Sequence, residues 1–285
     1  MENLMMVYGK PTSEDRYEEL NLWYTWEHIG DELINRACLA AQRFELSKYQ
    51  PRNADTSFPV LCLYEVLDRD YCLRWHMKDA RTWRMKISTA LSREFYETFW
   101  NPVAKTSDWA EYADYRGERA VMTVKIKARG DVDPRGYFTM EKLRELRRIP
   151  GMQALHFFDW LPEHQMANSP KEYCDYNLVC QISNCYMVAA EWDKYMDAHP
   201  EMEKNFEMFP AIFEPMMPRI RDVDVYKYPE WRAIRAITSL LQDDHEGRML
   251  PMFTEEEKRA SLSEDARAFT NIPRRNFRDD TGVGV

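Results

Sequence analysis

Trp23-Tyr24-Thr25-Trp26-Glu27-His28-Ile29-Gly30-Asp31-Glu32-Leu33 is followed, three residues later, by Ala37-Cys38-Leu39-Ala40-Ala41-Gln42-Arg43-Phe44-Glu45-Leu46. The first stretch reads as the end of an amphipathic aromatic helix and the second as a strand that follows it almost at once. Upstream, Thr12-Ser13-Glu14-Asp15 supplies a cap and first-turn acids, which predicts a helix running to about His28. Before that helix, Leu4 to Tyr8 is an apolar strand. After a polar loop with Pro51 and Asn53, Pro59-Val60-Leu61-Cys62-Leu63-Tyr64-Glu65-Val66 reads as a buried strand. A helical stretch over about Asp70 to Leu91 and a strand from Phe95 to Trp100 complete a βαββαβ order.

Beyond a linker at 103–117 the same order returns. Ala120 to Ile126 is a strand, Met140 to Arg148 a short helix, and Leu155 to Trp160 and Tyr176 to Ile182 two further strands. A helix near 187–198 and a strand near 222–228 are expected to close it. The two halves share a pattern and hardly any residue identity. A lone sheet of this kind leaves one face uncovered, so two must pack face to face, as a dimer or within one chain. The expected fold class is therefore α+β: two ferredoxin-like βαββαβ repeats, at 1–102 and 118–230, packed as an intrachain barrel. Residues 231–285 form a C-terminal extension, with a helix from Trp231 to Leu241 and an extended tail around Pro273 to Asp280 that is expected to reach across the partner of a homodimer.

Three segments carry a family likeness: Trp23-Tyr24 followed by Glu27-His28, Ala41-Gln42-Arg43-Phe44, and Leu61-Cys62-Leu63-Tyr64-Glu65-Val66. In order and spacing they resemble the ferredoxin-like repeat of the dimeric α+β barrel superfamily, in particular its EthD-like branch. The resemblance implies a small-molecule site around His28, with Trp23 and Tyr24 against the substrate. The second half departs from it, because the matching position falls near Leu146-Arg147-Arg148-Ile149 and holds no histidine.

Composition bounds the partners. The 39 basic and 48 acidic residues give a net charge of −9. Their even spread disfavours nucleic-acid and anionic-membrane surfaces. No apolar run approaches the roughly 20 residues that span a bilayer, and the start lacks the pattern of a signal peptide, so a cytoplasmic location is expected. Six cysteines without a CxxC pair are expected to be reduced and structural. Metal-ligand spacings, glycine-rich nucleotide loops and a GxSxG elbow are missing from the sequence. No cofactor and no metal are therefore expected.

His28 is the first candidate for general acid or base, since imidazole titrates near pH 6.5. A structural reading, a helix-terminal histidine on the C-terminal dipole, stands beside it. Glu27 points about 100° away around the helix and reads as a surface residue. In the strand over 60–66, Val60, Cys62, Tyr64 and Val66 share one face. If that face lines the barrel, Tyr64 can donate to an oxyanion. Tyr8 and Arg43 can add hydrogen bonds or charge from neighbouring strands, although a surface salt bridge is the simpler expectation for Arg43. His156 and Asp159 are candidates to meet the pocket from the second half. His76 reads as part of a solvated or interface face, and His164, His199 and His245 as surface residues.

These readings lead to a cofactor-independent lyase or isomerase acting on a hydrophobic, aromatic or polyketide-like small molecule. Two alternatives stay open: a haem-dependent or cofactor-free oxygenase, with His28 or His156 as the axial ligand in the haem case, and a non-catalytic or stress-related binding protein.

Overall fold

The computed structural model describes residues 3–34, 38–66, 72, 88–92, 96–106, 119–160, 174–217 and 219–221. Two compact units divide the chain. The first comprises Met1–Lys10, Gln42–Leu63 and Glu94–Arg219, the second Pro11–Ala41, Tyr64–Arg93 and Ile220–Val285. The described strands are β1 (Asn3–Gly9), β2 (Ala40–Leu46), β3 (Val60–Val66), β4 (Tyr96–Lys105), β5 (Ala120–Ala128), β6 (Met152–Trp160), β7 (Tyr176–Ile182), β8 (Phe206–Pro215) and β9 (Ile220–Arg221). The described helices are α1 (Tyr17–Trp23), α2 (Ile29–Ile34), α3 (Pro134–Tyr137), α4 (Met140–Leu146), α5 (Cys185–Ala198) and α6 (Pro200–Asn205).

In the first unit the strands run β3-β1-β4-β6-β7-β5-β8-β2, and β2 pairs back onto β3, so the sheet closes into an eight-stranded antiparallel barrel. Residues 3–105 contribute the order β2-β3-β1-β4, and residues 120–215 the order β6-β7-β5-β8. Each is the order of a ferredoxin-like sheet. The two seams join the fourth strand of one set to the second of the other, with Trp100 opposite Trp160 and Leu46 opposite Phe213. Closure leaves no free edge, which is how the barrel satisfies its backbone groups.

Alternation along β5 separates two cores. Met122, Val124 and Ile126 pack with Leu143 and Leu146 of α4 and Val188 and Trp192 of α5. Val121 instead joins Leu4, Met6, Tyr8, Phe44, Leu61, Phe158, Val179 and Phe213 inside the barrel. Helices on the outside begin at real caps: Thr139 accepts from the Lys142 amide, and Asn184 from the Met187 amide at 2.8 Å. Between α4 and β6, Gly151 sits at φ +89°, and a Cβ there would lie 2.6 Å from Cγ2 of Val188. Only glycine lets the chain turn so close under α5.

The second unit contains a continuous helical stretch: a 3-10 turn (Glu14–Arg16), α1, a π-helical turn (Tyr24–His28) and α2. Arg16 pairs with Glu19 at 2.6 Å and donates to the Thr89 carbonyl at 2.8 Å. β9 adds to β2 at Ala40 and Ala41. Among the described residues no helix is long and apolar enough to cross a membrane. The six cysteines are not joined in disulfides among the described residues.

Four expectations change. The helix does not end at His28, because the widened turn carries it on to Ile34. The closing strand of the second half is β8 at Phe206–Pro215, while 222–228 lies outside the described residues. Strand β4 continues through Pro102 to Lys105, into the stretch read as linker. Most of the expected helix over 70–91 falls outside the described residues, but 88–91 form a turn and a bridge to Pro11, so the helix does not reach Leu91. Most of the linker and the extension at 231–285 with its tail also fall outside the described residues.

Candidate functional site

The π turn builds the site. The Ile29 amide donates to the Tyr24 carbonyl, five residues back, where an α-helix would bond four back. Residues five apart in an α-helix diverge by about 140°, and the extra residue in the turn brings them back to one face. Trp23 and His28 consequently stack, with ring centres 4.9 Å apart and planes 19° from parallel. Tyr24 meets the same imidazole edge-on at 4.8 Å.

β3 supplies the other wall. Its period-2 pattern puts Leu61 in the barrel core, so Val60, Cys62, Tyr64 and Val66 face away from the barrel interior. The condition on which Tyr64 was read as a donor inside the barrel, that its face lines the interior, is therefore not met. Tyr64 instead lies 6.5 Å from His28, edge to face, and its hydroxyl donates to the Tyr24 hydroxyl at 3.4 Å.

One carboxylate completes the group. Glu32, one turn beyond His28 on α2, places Oε1 3.9 Å from Nε2 of His28. Its side chain has no exposed surface, whereas His28 keeps 13% of its own. Tyr24 and Tyr64 are buried. The imidazole is thus the polar member through which this group reaches its surroundings. Sequence reasoning passed over Glu32 and weighed Glu27, although the i, i+4 spacing from His28 was the usable signal. The Glu27 side chain lies outside what the structure describes.

Of the candidate residues, the structure brings together His28, Tyr64, Trp23 and Tyr24, all in the second unit. Tyr8, Arg43, His156 and Asp159 belong to the first. Tyr8 points into the barrel, where burial raises its phenol well above the usual range. Nδ2 of Asn177 donates to its hydroxyl at 3.4 Å. The Lys125 ammonium lies 4.2 Å from the Tyr8 ring centre and bonds Oδ2 of Asp55 at 2.8 Å. Burial lowers the Lys125 pKa, and Asp55 opposes that shift. Arg43 is fully buried, which corrects the expectation of a surface salt bridge. His156 is likewise buried and stacks on Phe158 at 3.9 Å. Asp159 is ion-paired with Arg135 of α3. His199, expected at the surface, is part-buried. It stacks on Tyr195 at 3.9 Å and approaches Glu145 at 3.4 Å. His76, His164 and His245 lie outside the described residues. Among the described residues no group of three His, Cys, Asp or Glu side chains could hold a metal ion.

No protein-family model matches the chain. No curated protein matches it in sequence. Solved structures match it in shape. An anthrone oxidase-like protein shares 11% identity at a TM-score of 0.49, over 77% of this chain and 92% of its own. A proposed monooxygenase from Lactobacillus acidophilus NCFM shares 10% at 0.47, over 76% and 96%. The encapsulated DyP-type peroxidase of Mycobacterium smegmatis shares 11% at 0.45, over 80% and 95%.

Proposed function

We propose that this chain is a cofactor-independent enzyme of lyase or isomerase type, in which His28 moves a proton on a hydrophobic, aromatic or polyketide-like small molecule. The observation that carries the reading is a partly accessible imidazole enclosed by Trp23, Tyr24 and Tyr64, with the buried carboxylate of Glu32 beside it. Aromatic walls favour a flat apolar substrate, and they lower the local polarity, so a charge that develops on the substrate is felt strongly by nearby hydroxyls. The Tyr64 hydroxyl donates to that of Tyr24. In such a chain the acceptor's own proton points onward, which suits an enolate or phenolate oxygen. Nε2 of His28 takes the proton from carbon, or returns it, at a typical gain of about 10² to 10⁴ in rate.

The same reading takes the chain as tandem ferredoxin-like repeats of the EthD-like kind, at 1–102 and 118–230. The strand order that recurs in 3–105 and 120–215 supports it. Only the first repeat carries the histidine. Tyr8, Arg43, His156 and Asp159 take no part in the proposed proton transfer. Pairing of two chains through the C-terminal tail belongs to the proposal too, and native mass spectrometry of the full chain against one ending at residue 230 tests it.

The reaction is tested with 1-phenylpropan-2-one, a benzyl ketone whose benzylic hydrogen is a weak carbon acid. In deuterated buffer the wild-type protein should speed exchange of that hydrogen at least about tenfold over His28→Gln, followed by proton NMR. Equal rates for the two proteins would overturn the assignment. A Soret band in the purified protein would replace it with haem ligation.

A further inference from the structure

The first unit carries a solvent-open cleft of about 360 Å³, where the end of α4 and the turn after it meet the last two turns of α5. That volume falls within the range of small-molecule pockets, about 300–1,000 Å³. Glu145 and Arg148 line it from the α4 side, Glu191, Lys194 and Tyr195 from α5, and His199 from the residue after α5. Three of the four fixed charges in the cleft are already satisfied. Oε1 of Glu145 accepts from the Tyr195 hydroxyl at 2.6 Å and from Lys142 at 2.9 Å. The tyrosine first and the lysine next hold the Glu145 carboxyl below the usual range, against the opposing effect of burial. Lys142 itself is only 13% exposed, with its ammonium 5.4 Å from the ring centres of both Tyr137 and Tyr195. Lys194 bonds Oε1 of Glu191, one turn earlier on α5.

Arg148 is different. Arg147 before it donates to the Gln153 carbonyl at 2.9 Å. The Arg148 side chain is exposed and makes no hydrogen bond or ion pair among the described residues. Its planar fork of donors matches a carboxylate by two parallel hydrogen bonds.

The aromatic wall beside it is fixed in advance. His199 stacks on Tyr195, with ring centres 3.9 Å apart and planes 22° from parallel. Nδ1 of His199 lies 2.8 Å from the Tyr195 carbonyl, which can only accept, so that nitrogen carries a proton and the ring is oriented. The Tyr195 hydroxyl is held in turn by Lys142 and Glu145. Rings held in this way lose little freedom when a ligand packs on them. Ile149 and Pro150 supply the apolar part of the lining.

We propose that this cleft is a further binding site, for a small aromatic carboxylate whose anion pairs with the Arg148 guanidinium while its ring packs on the Tyr195–His199 stack. A cationic ligand would have to displace Lys142 or Lys194 from its carboxylate, whereas an anion meets a guanidinium with no ion pair to give up. The ring of the ligand is matched to the one flat, apolar wall next to that charge. The site does not depend on the reading of His28, which belongs to the second unit.

The test uses benzoate as the probe. It is titrated at constant pH into the full chain carrying ¹³C at the histidine ring Cε1. Among the six histidines, the His199 signal is identified by its loss in His199→Gln. That signal should move and saturate, and Arg148→Gln should weaken the affinity read from it at least about tenfold. Arg148→Lys keeps the charge without the fork and should fall between the two. On the wild-type protein, benzamide has the same ring without the charge, and acetate the charge without the ring. Each should bind at least about tenfold more weakly than benzoate. A His199 signal that benzoate leaves unmoved, or moves without saturation, overturns the inference. Equal benzoate affinity in wild type and Arg148→Gln overturns it too, as does benzamide binding as tightly as benzoate, a comparison that needs no variant to fold. Acetate or inorganic phosphate binding as tightly as benzoate overturns the assignment of an aromatic ligand.

Discussion

Trp23 and His28 are five residues apart and yet stack at 4.9 Å, because the helix between them widens to a π turn. A π turn of this kind is an α-helix with one residue inserted. Its flanks face as they would without the insertion, so removing one residue from inside the turn should return the helix to regular form with Trp23 and His28 still on one face. Thr25 is the residue to remove, since the ring contacts around the imidazole involve Trp23, Tyr24 and Tyr64 and not its side chain. The deletion variant should keep its far-UV circular dichroism and melt within about 3 °C of wild type, a shift that corresponds to about 1 kcal/mol for a chain of this size. A melting point lower by far more would show that the π turn is needed for the fold and not only tolerated by it.

Lys125 and Asp55 form a buried pair inside the first unit, with side-chain exposures of 2% and 6%. The pair is held between the Tyr8 and Phe58 rings, 4.2 and 5.6 Å from the ammonium. Breaking it from one side leaves a charge without its counter-ion, which costs about 3–5 kcal/mol. Lys125→Met and Asp55→Asn should each destabilise the protein by about that much in urea denaturation. The double variant should be more stable than the sum of the two losses implies, because neither charge then remains buried alone. Strict additivity would mean that the pair contributes through packing alone.

How much of this could be read beforehand depended on which physical signal each residue carried. The strands announced themselves by alternation: β1, β3, β5, β6 and β7 lie within a residue or a few of where the apolar patterns put them. β8 was missed because Pro210 and Pro215 interrupt its run, and proline removes a ladder donor. It is tolerated there because the Pro210 carbonyl still accepts from the Asp55 amide at 2.9 Å. For Tyr64 the partition of β3 into two faces was right, but alternation cannot say which face looks into a barrel. The packing of Leu61 decides that. The π turn was invisible because a continuous helix and a helix with one inserted residue have the same composition. Glu32 escapes for a related reason: the pattern predicts a helix that stops four residues before it, and the π turn carries the helix on past it.

Gly151 and Val188 define the closest approach between the turn after α4 and α5, with the missing Cβ 2.6 Å from Cγ2 of the valine. Gly151→Ala therefore meets two obstacles. The backbone at φ +89° strains any residue with a side chain, at about 1–3 kcal/mol, and the added methyl collides with Val188. Adding Val188→Ala should relieve the collision but not the strain. The double variant should then be destabilised relative to Val188→Ala alone by roughly the strain cost. If Gly151→Ala matches wild type in its urea midpoint, the turn can adopt another conformation.

Cys185 opens α5 and is partly buried, and its thiol is pushed up from 9.0 to about 11, chiefly by burial and next by the charge of Glu214. Ser47 works in the opposite direction, since its hydrogen bond favours the thiolate. Only the thiolate is alkylated, so a two-unit rise cuts the reactive fraction at pH 8 about a hundredfold. Iodoacetamide labelling, read at the Cys185 peptide by mass spectrometry, should run at least that much slower than labelling of N-acetylcysteine. It should climb about tenfold per pH unit for as long as the circular dichroism stays native. Glu214→Gln should speed the labelling and Ser47→Ala slow it. The two variants must differ in opposite directions, because the Ser47 hydroxyl, whose single proton can go to either partner, also lies 2.6 Å from Glu214 Oε1, and a merely steric effect at that contact would move both the same way. A rate that levels off below pH 9 in the native protein would show that the Cys185 thiol is not raised.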